Sequence, residues 1–404
     1  MTKDIFDIAV AGAGPAGLAA GLAAAKSGLR TVVIGPPPSI KDRRTSALFG
    51  GSIELLKKLA NWERIEPQSA PLRGIRIVDA GTSFLRAPEV LFEARDAGLE
   101  AFGFNIPNLI LTEVLEDAAE SSLTRLHAAV ATISIEPDQV DLATSAGTEV
   151  FARLVVAADG RASSTRSAAG IEVAQWDYPQ SALVASFAHT RDHRGISTEL
   201  HRHVGPLTVV PGPGLTSNLV WIDTPDEVAR LQEFDDATFI YELEQRLRGL
   251  LGRLSEMSPR QSFRLSGQTA KCLARNRVIV AGEAAHVIPP IGAQGLNLSF
   301  RDAATIADII GEARESGSDI GGEATLSRYD KARRADIGTR VFAVDVLNRS
   351  LLSNIPGVSL ARGLGLFALA SSPSLRARVM REGITPFASN PRLMHSDVSD
   401  FRAG

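Results

Sequence analysis

Cysteine is almost absent from this chain, since Cys272 is the only one among 404 residues. A single thiol forms no internal disulfide, so the chain suits a reducing cytoplasm. Charge of one sign is lacking too, because 43 Lys and Arg residues against 46 Asp and Glu residues leave a net charge of −3. That balance provides no overall positive field for nucleic acid, and we expect no nucleic-acid partner.

Long apolar runs are also missing. No apolar run free of charged residues reaches the ~20 residues that a helix needs to cross a bilayer. The first apolar run leads straight into a glycine motif, so we expect no signal peptide. With 44% hydrophobic and 22% charged residues, the composition is typical of a globular protein with more than one compact unit.

A glycine motif lies between two predicted strands near the start. Residues 5–11 read as a buried strand, a helix follows to about Lys26, and residues 31–34 form a second strand. The first turn reads Gly12-Ala13-Gly14-Pro15-Ala16-Gly17. Gly12 permits the tight bend, Gly14 lets the backbone approach a pyrophosphate, and Gly17 lets helix and strand pack closely. With the helix N–H groups this predicts dinucleotide binding, against the alternative of an ordinary tight turn.

One part of that motif is absent. The second strand normally ends in Asp or Glu, which binds a ribose hydroxyl. Here Ile34 is followed by Gly35 and three prolines at 36–38. If the ribose has only lost its acidic partner, Gly35→Glu should tighten dinucleotide binding by about 1 kcal/mol, the value of one hydrogen bond.

Two further strands end in turns that suit a ligand. Residues 154–158 form a buried strand that ends at Asp159-Gly160, and an Asx-type turn is the alternative reading of that Asp. Residues 277–281 form another strand, followed by Gly282, Glu283 and His286 and then by a glycine-rich loop before a helix at 298–312. His286 is either a turn residue satisfied by backbone or a functional group facing the ligand.

Residues 173–272 have few long helical patterns, scattered Pro and Gly, and strand-like runs. This composition predicts a second, sheet-based unit with one helical region near 227–254. The region contains His189, His193, His201 and His203. No cysteine accompanies them and the region is not acidic, so we expect core or surface histidines and no metal site.

The remainder of the chain, 326–404, reads as mostly helical. Residues 351–381 are apolar with basic flanks; the pattern slightly favours a helix packed on the rest of the protein, and contact with a membrane surface is the alternative. The last ~15 residues are expected to fray.

The three motifs together resemble the single-component FAD-dependent aromatic hydroxylases. Residues 42–48, Asp-Arg-Arg-Thr-Ser-Ala-Leu, are similar to that family's Asp-x-Arg-Thr-x-Ala-Leu. The stretch from Gly282 to Asp302 is similar to its ubiquinone-biosynthesis branch. The resemblance covers residues 5 to about 350 and is weakest across 173–272.

The resemblance implies an α/β fold like that of para-hydroxybenzoate hydroxylase: a Rossmann-like FAD-binding domain, an interleaved sheet-based substrate domain and a helical C-terminal segment. We expect residues 1–71, 108–172 and 273–325 in the FAD-binding domain. Residues 72–107 and 173–272 then form the substrate domain, and 326–404 form the C-terminal segment.

The resemblance also implies the site residues. The expected FAD-binding residues are Gly12, Gly14, Pro15, Ala16, Gly17, Arg44, Asn108, Val130, Asp159, Gly160, Gly282, Glu283, Pro290, Gly295, Leu296 and Asn297. Arg44 and Asn108 would touch the phosphate and ribityl region, and Val130 the adenine. Glu283 stands where the family usually has Asp. The order Gly292-Ala293-Gln294 replaces the usual Ala-Gly-Gln. His286, in the loop facing the flavin, is the candidate catalytic residue.

The activity implied is hydroxylation of the ring of a polyprenylated phenol in ubiquinone biosynthesis, through a flavin C4a-hydroperoxide. FAD is the cofactor, NADPH or NADH the reductant, and O₂ the co-substrate. Expected partners are the polyprenylphenol, a membrane surface and a ubiquinone-biosynthesis complex. The expected location is the cytoplasm, with peripheral contact to the inner membrane.

Three alternatives stay open. A soluble hydroxylase of a small aromatic acid would need a cation for the carboxylate. A flavin reductase of prenyl double bonds would share the first motif but need no O₂. A non-catalytic member of a biosynthetic complex would keep only the fold, and Gly35 supports that reading.

Overall fold

The computed structural model describes residues 4–38, 42–81, 88–352 and 390–396, with residues 364–365, 367–369, 371–372 and 375–376. The strands are β1 Ile5–Ala11, β2 Thr31–Ile34, β3 Thr45–Phe49, β4 Ala70–Pro71, β5 Gly74–Asp79, β6 Val90–Glu93, β7 Gly103–Pro107, β8 Thr124–Leu126, β9 Val130–Ile135, β10 Val140–Thr144, β11 Glu149–Ala157, β12 Val173–His189, β13 Ile196–Arg202, β14 Gly205–Pro211, β15 Thr216–Asp223, β16 Leu254–Ser255, β17 Gln261–Ala270, β18 Ala274–Arg275, β19 Val278–Val280 and β20 His286–Val287. The α-helices are α1 Pro15–Lys26, α2 Gly50–Leu59, α3 Trp62–Ile65, α4 Asn108–Ser122, α5 Ser164–Ala168, α6 Pro225–Glu233, α7 Asp236–Leu247, α8 Gln294–Glu315 and α9 Glu323–Leu352.

The first sheet carries the predicted nucleotide fold. Its main path runs β18-β19-β11-β1-β2-β8, and the four strands from β19 to β2, with β8, are parallel. The antiparallel β9 and β10 extend it through β11. Strands β1 and β2 have the predicted bounds, and their inner residues are fully buried, as parallel strands covered on both faces must be. The predicted α/β class is confirmed.

The second sheet has the order β20-β17-β12-β15-β14-β13-β5-β6. Its side chains alternate between two apolar clusters, since Trp221 packs with α6 and α7 whereas the next residue, Ile222, packs beside Ile291 and α9. The sheet predicted for residues 173–272 is therefore present. It also takes β5 and β6 from the earlier chain and β20 from the third motif.

A small antiparallel sheet, β3-β7-β4, lies between the two large sheets. From it the buried Asn105 donates through Nδ2 to Pro211 O at 2.8 Å and to Asn218 Oδ1 at 2.9 Å. These bonds tie the small sheet to β14 and β15. The packing of the small sheet on the second sheet thus depends partly on a buried amide, whose loss would leave unpaired acceptors.

The C-terminal part begins with the long helix α9, as predicted. Residues 390–396 then lie against α2 and α8, where Asn390 Oδ1 accepts from Arg301 at 2.9 Å and His395 O accepts from Lys58 at 2.6 Å. The expectation that the last ~15 residues fray is therefore wrong for residues 390–396. Most of 351–381, and residues 397–404, fall outside the described residues, so the predictions made for them stay predictions. Within the described part of the chain, no helix is long and apolar enough to span a membrane.

Candidate active site

The three sequence motifs meet at one edge of the first sheet. Strands β1, β11 and β19 are parallel neighbours, and their last residues are in register, Ala11 with Ala157 and Ala157 with Val280. Each strand runs directly into its motif, so the three turns lie side by side at the carboxyl ends of the strands. This is the edge at which open α/β sheets bind ligands.

The first turn has the backbone geometry that a pyrophosphate cradle requires. Gly12 has a φ of +110°, and a Cβ there would lie 2.2 Å from Ala158 O. At Gly17 a Cβ would lie 2.0 Å from Gly12 O, which explains how α1 sits so close to the strand. Gly14 has no heavy atom within 4 Å of its Cβ position, and α1 begins there without a side-chain cap. Open space thus faces uncapped N–H groups, the arrangement that binds phosphate.

A side chain at position 35 would clash with the first glycine turn. A Cβ at this position would lie 2.5 Å from Ala13 N and 2.7 Å from Ala13 Cβ. Its carbonyl accepts from Arg125 Nη1 at 2.8 Å, and that arginine forms a buried ion pair with Glu116 at 2.7 Å. This packing argues against the expectation that Gly35→Glu tightens dinucleotide binding, because the strand end packs directly on the glycine turn.

Three of the predicted ligand residues are brought together beside this turn. The Arg44 guanidinium donates to both oxygens of Asp42, at 2.9 and 2.8 Å, and Asn108 Nδ2 donates to the same carboxylate at 3.2 Å. The hydrogen bond to Asp42 raises the pKa of Arg44, and the charge of Glu283 adds to that rise. Glu283, from the third motif, therefore lies within electrostatic reach of Arg44.

Asp42 organises this group, although the sequence suggested no role for it. Burial by itself would raise the pKa of the Asp42 carboxyl, but hydrogen bonds from Arg44 and Asn108 bring it below the ordinary value. Asn108 Oδ1 in turn accepts from Ser46 Oγ at 2.7 Å. An ionised Asp42 thus orients a cation and an amide at the same place.

At the second motif the Asp159 carboxylate accepts hydrogen bonds from residues of its own turn. It accepts from Thr165 N at 3.1 Å and Thr165 Oγ1 at 3.0 Å, and also from Ser163 Oγ. These bonds close the turn before α5, so the turn reading accounts for the contacts of this side chain. The adjacent Gly160, at a φ of +84°, has open space where a side chain would project. Val130 lies half-buried at the start of β9, packed against the core of the first sheet.

The start of α8 is held by the Asn297 side chain. Its Oδ1 accepts from Phe49 N at 3.0 Å and Ser52 Oγ at 2.8 Å, and its Nδ2 donates to Ala47 O at 2.8 Å and Ala293 O at 2.7 Å. All four hydrogen bonds of the amide are thereby satisfied within the protein. A ligand at this helix start would be bound by backbone N–H groups, with Asn297 as the residue that positions them.

The loop before α8 contains two successive left-handed residues, Gly292 at a φ of +66° and Ala293 at +53°. Glycine adopts this conformation freely, whereas alanine is strained in it by about 1–2 kcal/mol. The exchanged order of Gly and Ala noted in the sequence therefore places a side chain at a strained position. Pro290 and Gly295 are exposed on this loop, and Leu296 is half-buried.

His286 lies inside the protein rather than at the open edge. Its side chain is 1% exposed, and Nε2 is 2.7 Å from Asp302 Oδ2. Asp302 also accepts from Gly282 N at 3.0 Å and from Arg333 Nε at 2.8 Å. Burial by itself would raise the pKa of Asp302, but the His286 and Arg333 charges bring it below its ordinary value.

The ring of His286 is oriented by this carboxylate. Nε2–H donates to the ionised Asp302, and the buried Nδ1 atom has no hydrogen-bond partner in the described structure. His286 thus braces the Gly282 turn through Asp302, and the geometry supports a positioning role over catalytic contact.

A chain of ion pairs continues from Asp302 to the loop before α8. Arg333 also pairs with Asp336, which accepts from Arg340 Nε at 2.9 Å. Arg340 Nη1 then donates to the side chain of Gln294, the first residue of α8. Helix α9 therefore fixes both ends of the third motif.

The second sheet is joined to the same edge. Gln268 Nε2 of β17 donates to Arg161 O at 3.3 Å and to Glu283 O at 3.2 Å. Ile291 from the loop packs into the apolar cluster on the facing side of that sheet. The second sheet therefore contacts the first sheet at the third motif.

Sequence reasoning missed most of these supporting residues. The missed residues are Asp42, Ser52, Arg125, Asp302, Arg333, Asp336 and Arg340. Only Asp42 and Asp302 had a local signal, because both belong to stretches that resemble the hydroxylase family.

The residues present suit FAD. Apart from neighbouring residues, no heavy atom lies within 4 Å of the Cβ position at Gly14, Gly160 or Gly295, so a ligand can approach the backbone closely at each of the three motifs. Arg44 supplies a cation beside the phosphate cradle, and the start of α8 supplies oriented N–H groups.

Comparisons with known proteins agree with this geometry. Residues 6–343 match the family model described as FAD binding domain. The ubiquinone hydroxylase UbiL of Rhodospirillum rubrum is 32% identical over 403 residues, covering 96% of this chain and 91% of that protein. The 3-demethoxyubiquinol 3-hydroxylase of Escherichia coli is 28% identical, covering 94% and 99%. The structure of p-nitrophenol 4-monooxygenase PnpA from Pseudomonas putida has a TM-score of 0.76 at 18% identity, covering 96% and 99%, which shows a shared fold.

Proposed function

Because this chain belongs to the FAD-dependent aromatic hydroxylases of the FAD binding domain family, we propose that it hydroxylates the ring of a polyprenylated phenol in ubiquinone biosynthesis. One observation carries the proposal. The three motifs meet at one sheet edge in a chain similar over nearly its whole length to ubiquinone hydroxylases. NADPH or NADH would be the reductant and O₂ the co-substrate.

FAD would be held by the residues already described. The turn at Gly12, Gly14 and Gly17 would bind its pyrophosphate, and Arg44 and Asn108 its phosphate and ribityl region. When bound, FAD supplies the redox chemistry that activates O₂. We find no His or Cys placed as an attachment point in the described residues, so the FAD should be non-covalent and denaturation should release it into the supernatant.

The chain itself positions groups and excludes water. Asn297 holds the start of α8 so that its N–H groups and positive dipole end face the flavin site. The second sheet, bound through Gln268 and Ile291, would help to exclude water from the flavin site, as oxygen transfer to an organic ring requires. The phenol ring would lie between this sheet and the loop before α8, where proximity sets the rate.

Contact with a lipid surface fits an apolar substrate. Phe342 and Val346 lie one turn apart on α9 and are 69% and 47% exposed, while Leu364 and Phe367 are each 60% exposed. We use the name apolar C-terminal surface for these four exposed residues, all of which belong to the C-terminal part of the chain. We propose that it rests on the membrane that dissolves the prenylated substrate.

The test of the function is an oxygen-labelling experiment. Purified protein is given a prenylphenol, a reduced nicotinamide and ¹⁸O₂, and the product is analysed by mass spectrometry. We expect one labelled oxygen on the ring. A hydroxylated product without label would mean that water supplies the oxygen, and protein that binds no flavin would point to a non-catalytic member of the family.

A further inference from the structure

A small cavity lies directly behind the start of α8. It is lined by Ser52 of α2, Gln294 and Arg301 of α8, Arg340 of α9 and Met394 of the C-terminal segment. The space open to the centre of a water-sized sphere is about 20 Å³. That volume suits one water molecule or one monatomic ion and excludes larger groups.

The charges around the cavity do not balance. Three guanidiniums, those of the buried Arg301 and Arg333 and of the half-buried Arg340, share two carboxylates, Asp302 and Asp336. Asp302 is already occupied by Arg333, His286 and a backbone N–H. Asp336 alone therefore serves the two arginines that line the cavity, and one positive charge is left without a carboxylate.

Both cavity arginines also keep unused donors. Arg301 uses Nε for Asp336 at 3.3 Å and Nη1 for Asn390 at 2.9 Å, while Arg340 uses Nε for Asp336 and Nη1 for Gln294. Within the described part of the chain, neither Nη2 atom is paired. Burial first, and then the charges of Arg340 and Arg333, lower the pKa of Arg301 to about 10 despite Asp336. A buried cation under this repulsion is stabilised by an anion.

We propose that this cavity binds one halide ion, held between Arg301 and Arg340. A halide matches the volume, balances the extra charge and accepts hydrogen bonds from both guanidiniums. Because Arg340 also bonds Gln294 at the first turn of α8, the ion stiffens the loop on which the flavin site rests. The site itself does not depend on which substrate the enzyme hydroxylates.

The direct test is crystallographic. Crystals of the FAD-loaded protein are grown in sodium bromide, and data are collected at the bromine absorption edge. We expect an anomalous peak between Arg301 and Arg340. Density for a water molecule there, without anomalous signal while bromide binds elsewhere, would overturn the proposal.

A solution test uses matched variants. Thermal unfolding of the FAD-loaded protein is compared in bromide and in gluconate at equal ionic strength, because gluconate is too large for the cavity. Wild-type protein should unfold at a higher temperature in bromide, since a ligand that binds only the folded state stabilises it. Arg340→Gln should lose this difference.

Arg328→Gln is the control, because Arg328 lies on the same helix α9 but pairs with Glu312 at the surface. It should keep the bromide response. If Arg340→Gln does not fold, Arg301→Gln takes its place. An equal bromide response in the cavity variant and in the control would reject the site.

Discussion

Gly35 shows how the identity of one residue depends on its neighbour. In this chain the end of β2 packs on the glycine turn so closely that no Cβ fits beside Ala13. The space in which an acidic side chain would reach a ribose is therefore filled by the turn itself. The missing acid is a packing requirement, and it does not weaken the assignment of the fold.

We expect both Gly35→Ala and Gly35→Glu to weaken FAD binding, by about 1–3 kcal/mol, the usual cost of overpacking a well-packed site. The two variants share the Cβ that meets Ala13, so their losses should be similar. FAD affinity measured by fluorescence quenching tests this. Tighter binding by Gly35→Glu would show that the turn can move aside.

Asn297 is the second position at which a single side chain decides the site. Asn297→Asp exchanges the two donors for acceptors that face Ala47 O and Ala293 O, and it leaves both carbonyls unpaired. We expect a loss of about 1–3 kcal/mol in the free energy of unfolding and weaker FAD binding. Ser52→Ala removes one hydrogen bond of the four and should have a smaller effect on both. Equal effects would mean that the amide is not the main link.

At the scale of elements, α8 has two tasks. Its first turn faces the ligand edge, whereas Asp302, two turns later, anchors it to Arg333 of α9 and to the Gly282 turn. A buried carboxylate beside a buried guanidinium is stable only while both are charged. The orientation of the helix start therefore depends on an ion pair far inside the protein.

Removing that carboxylate should be costly. Asp302→Asn leaves Arg333 buried with an incomplete partner, and we expect a loss of about 3–5 kcal/mol in the free energy of unfolding. The control Glu54→Gln removes a surface pair with Lys57 on α2 and should cost less than about 1 kcal/mol. Chemical unfolding of the two variants measures the difference. Similar small losses would contradict the importance of the buried pair.

The buried carboxylates Asp302 and Asp336 make the stability of the folded protein depend on pH. The pKa values of Asp302 and Asp336 lie below their ordinary value in the folded protein, because nearby arginines outweigh the effect of burial. Their contribution is therefore present at neutral pH and is lost as the pH falls below the unfolded pKa of about 3.9 and through the lower folded values. Unfolding curves between neutral pH and about pH 3 should show a steeper loss for wild type than for Asp302→Asn. Parallel curves would contradict this assignment.

At the scale of the whole molecule, the apolar C-terminal surface is far from the glycine motif in the sequence. A truncation that ends the chain before Leu351 would be a poor test of lipid binding by this surface. Leu351 is buried and residues 390–396 pack on α2 and α8, so the truncation would also disturb folding. Substitution within the surface leaves those contacts intact. It therefore separates lipid binding from folding.

We expect Phe342→Glu with Phe367→Glu to reduce co-sedimentation with vesicles of neutral and anionic phospholipid, because carboxylates oppose burial in the interface. The matched control is Tyr241→Glu on α7, where the tyrosine is 63% exposed on the second-sheet side. Flavin content should stay unchanged in both. If the control loses as much binding as the double variant, the apolar C-terminal surface is not the lipid contact.

Much of the fold was determined by the sequence alone, because the signals for it are local. The bounds of β1 and β2, the sheet at 173–272 and the three strand–turn motifs all follow from local periodicity and glycine positions. The parallel order that brings the motifs to one edge follows from the same pattern, since the carboxyl ends of neighbouring parallel strands meet.

Only the tertiary structure decided which side chains support the site. His286 contacts Asp302 16 residues away, Arg333 reaches it over 31 residues, and Arg340 reaches Gln294 over 46. Contacts over such separations leave no periodic trace in the sequence. Packing also determined that position 35 excludes a side chain and that His286 is buried. Burial, and with it the protonation and the reach of each side chain, depends on what the rest of the chain places around it.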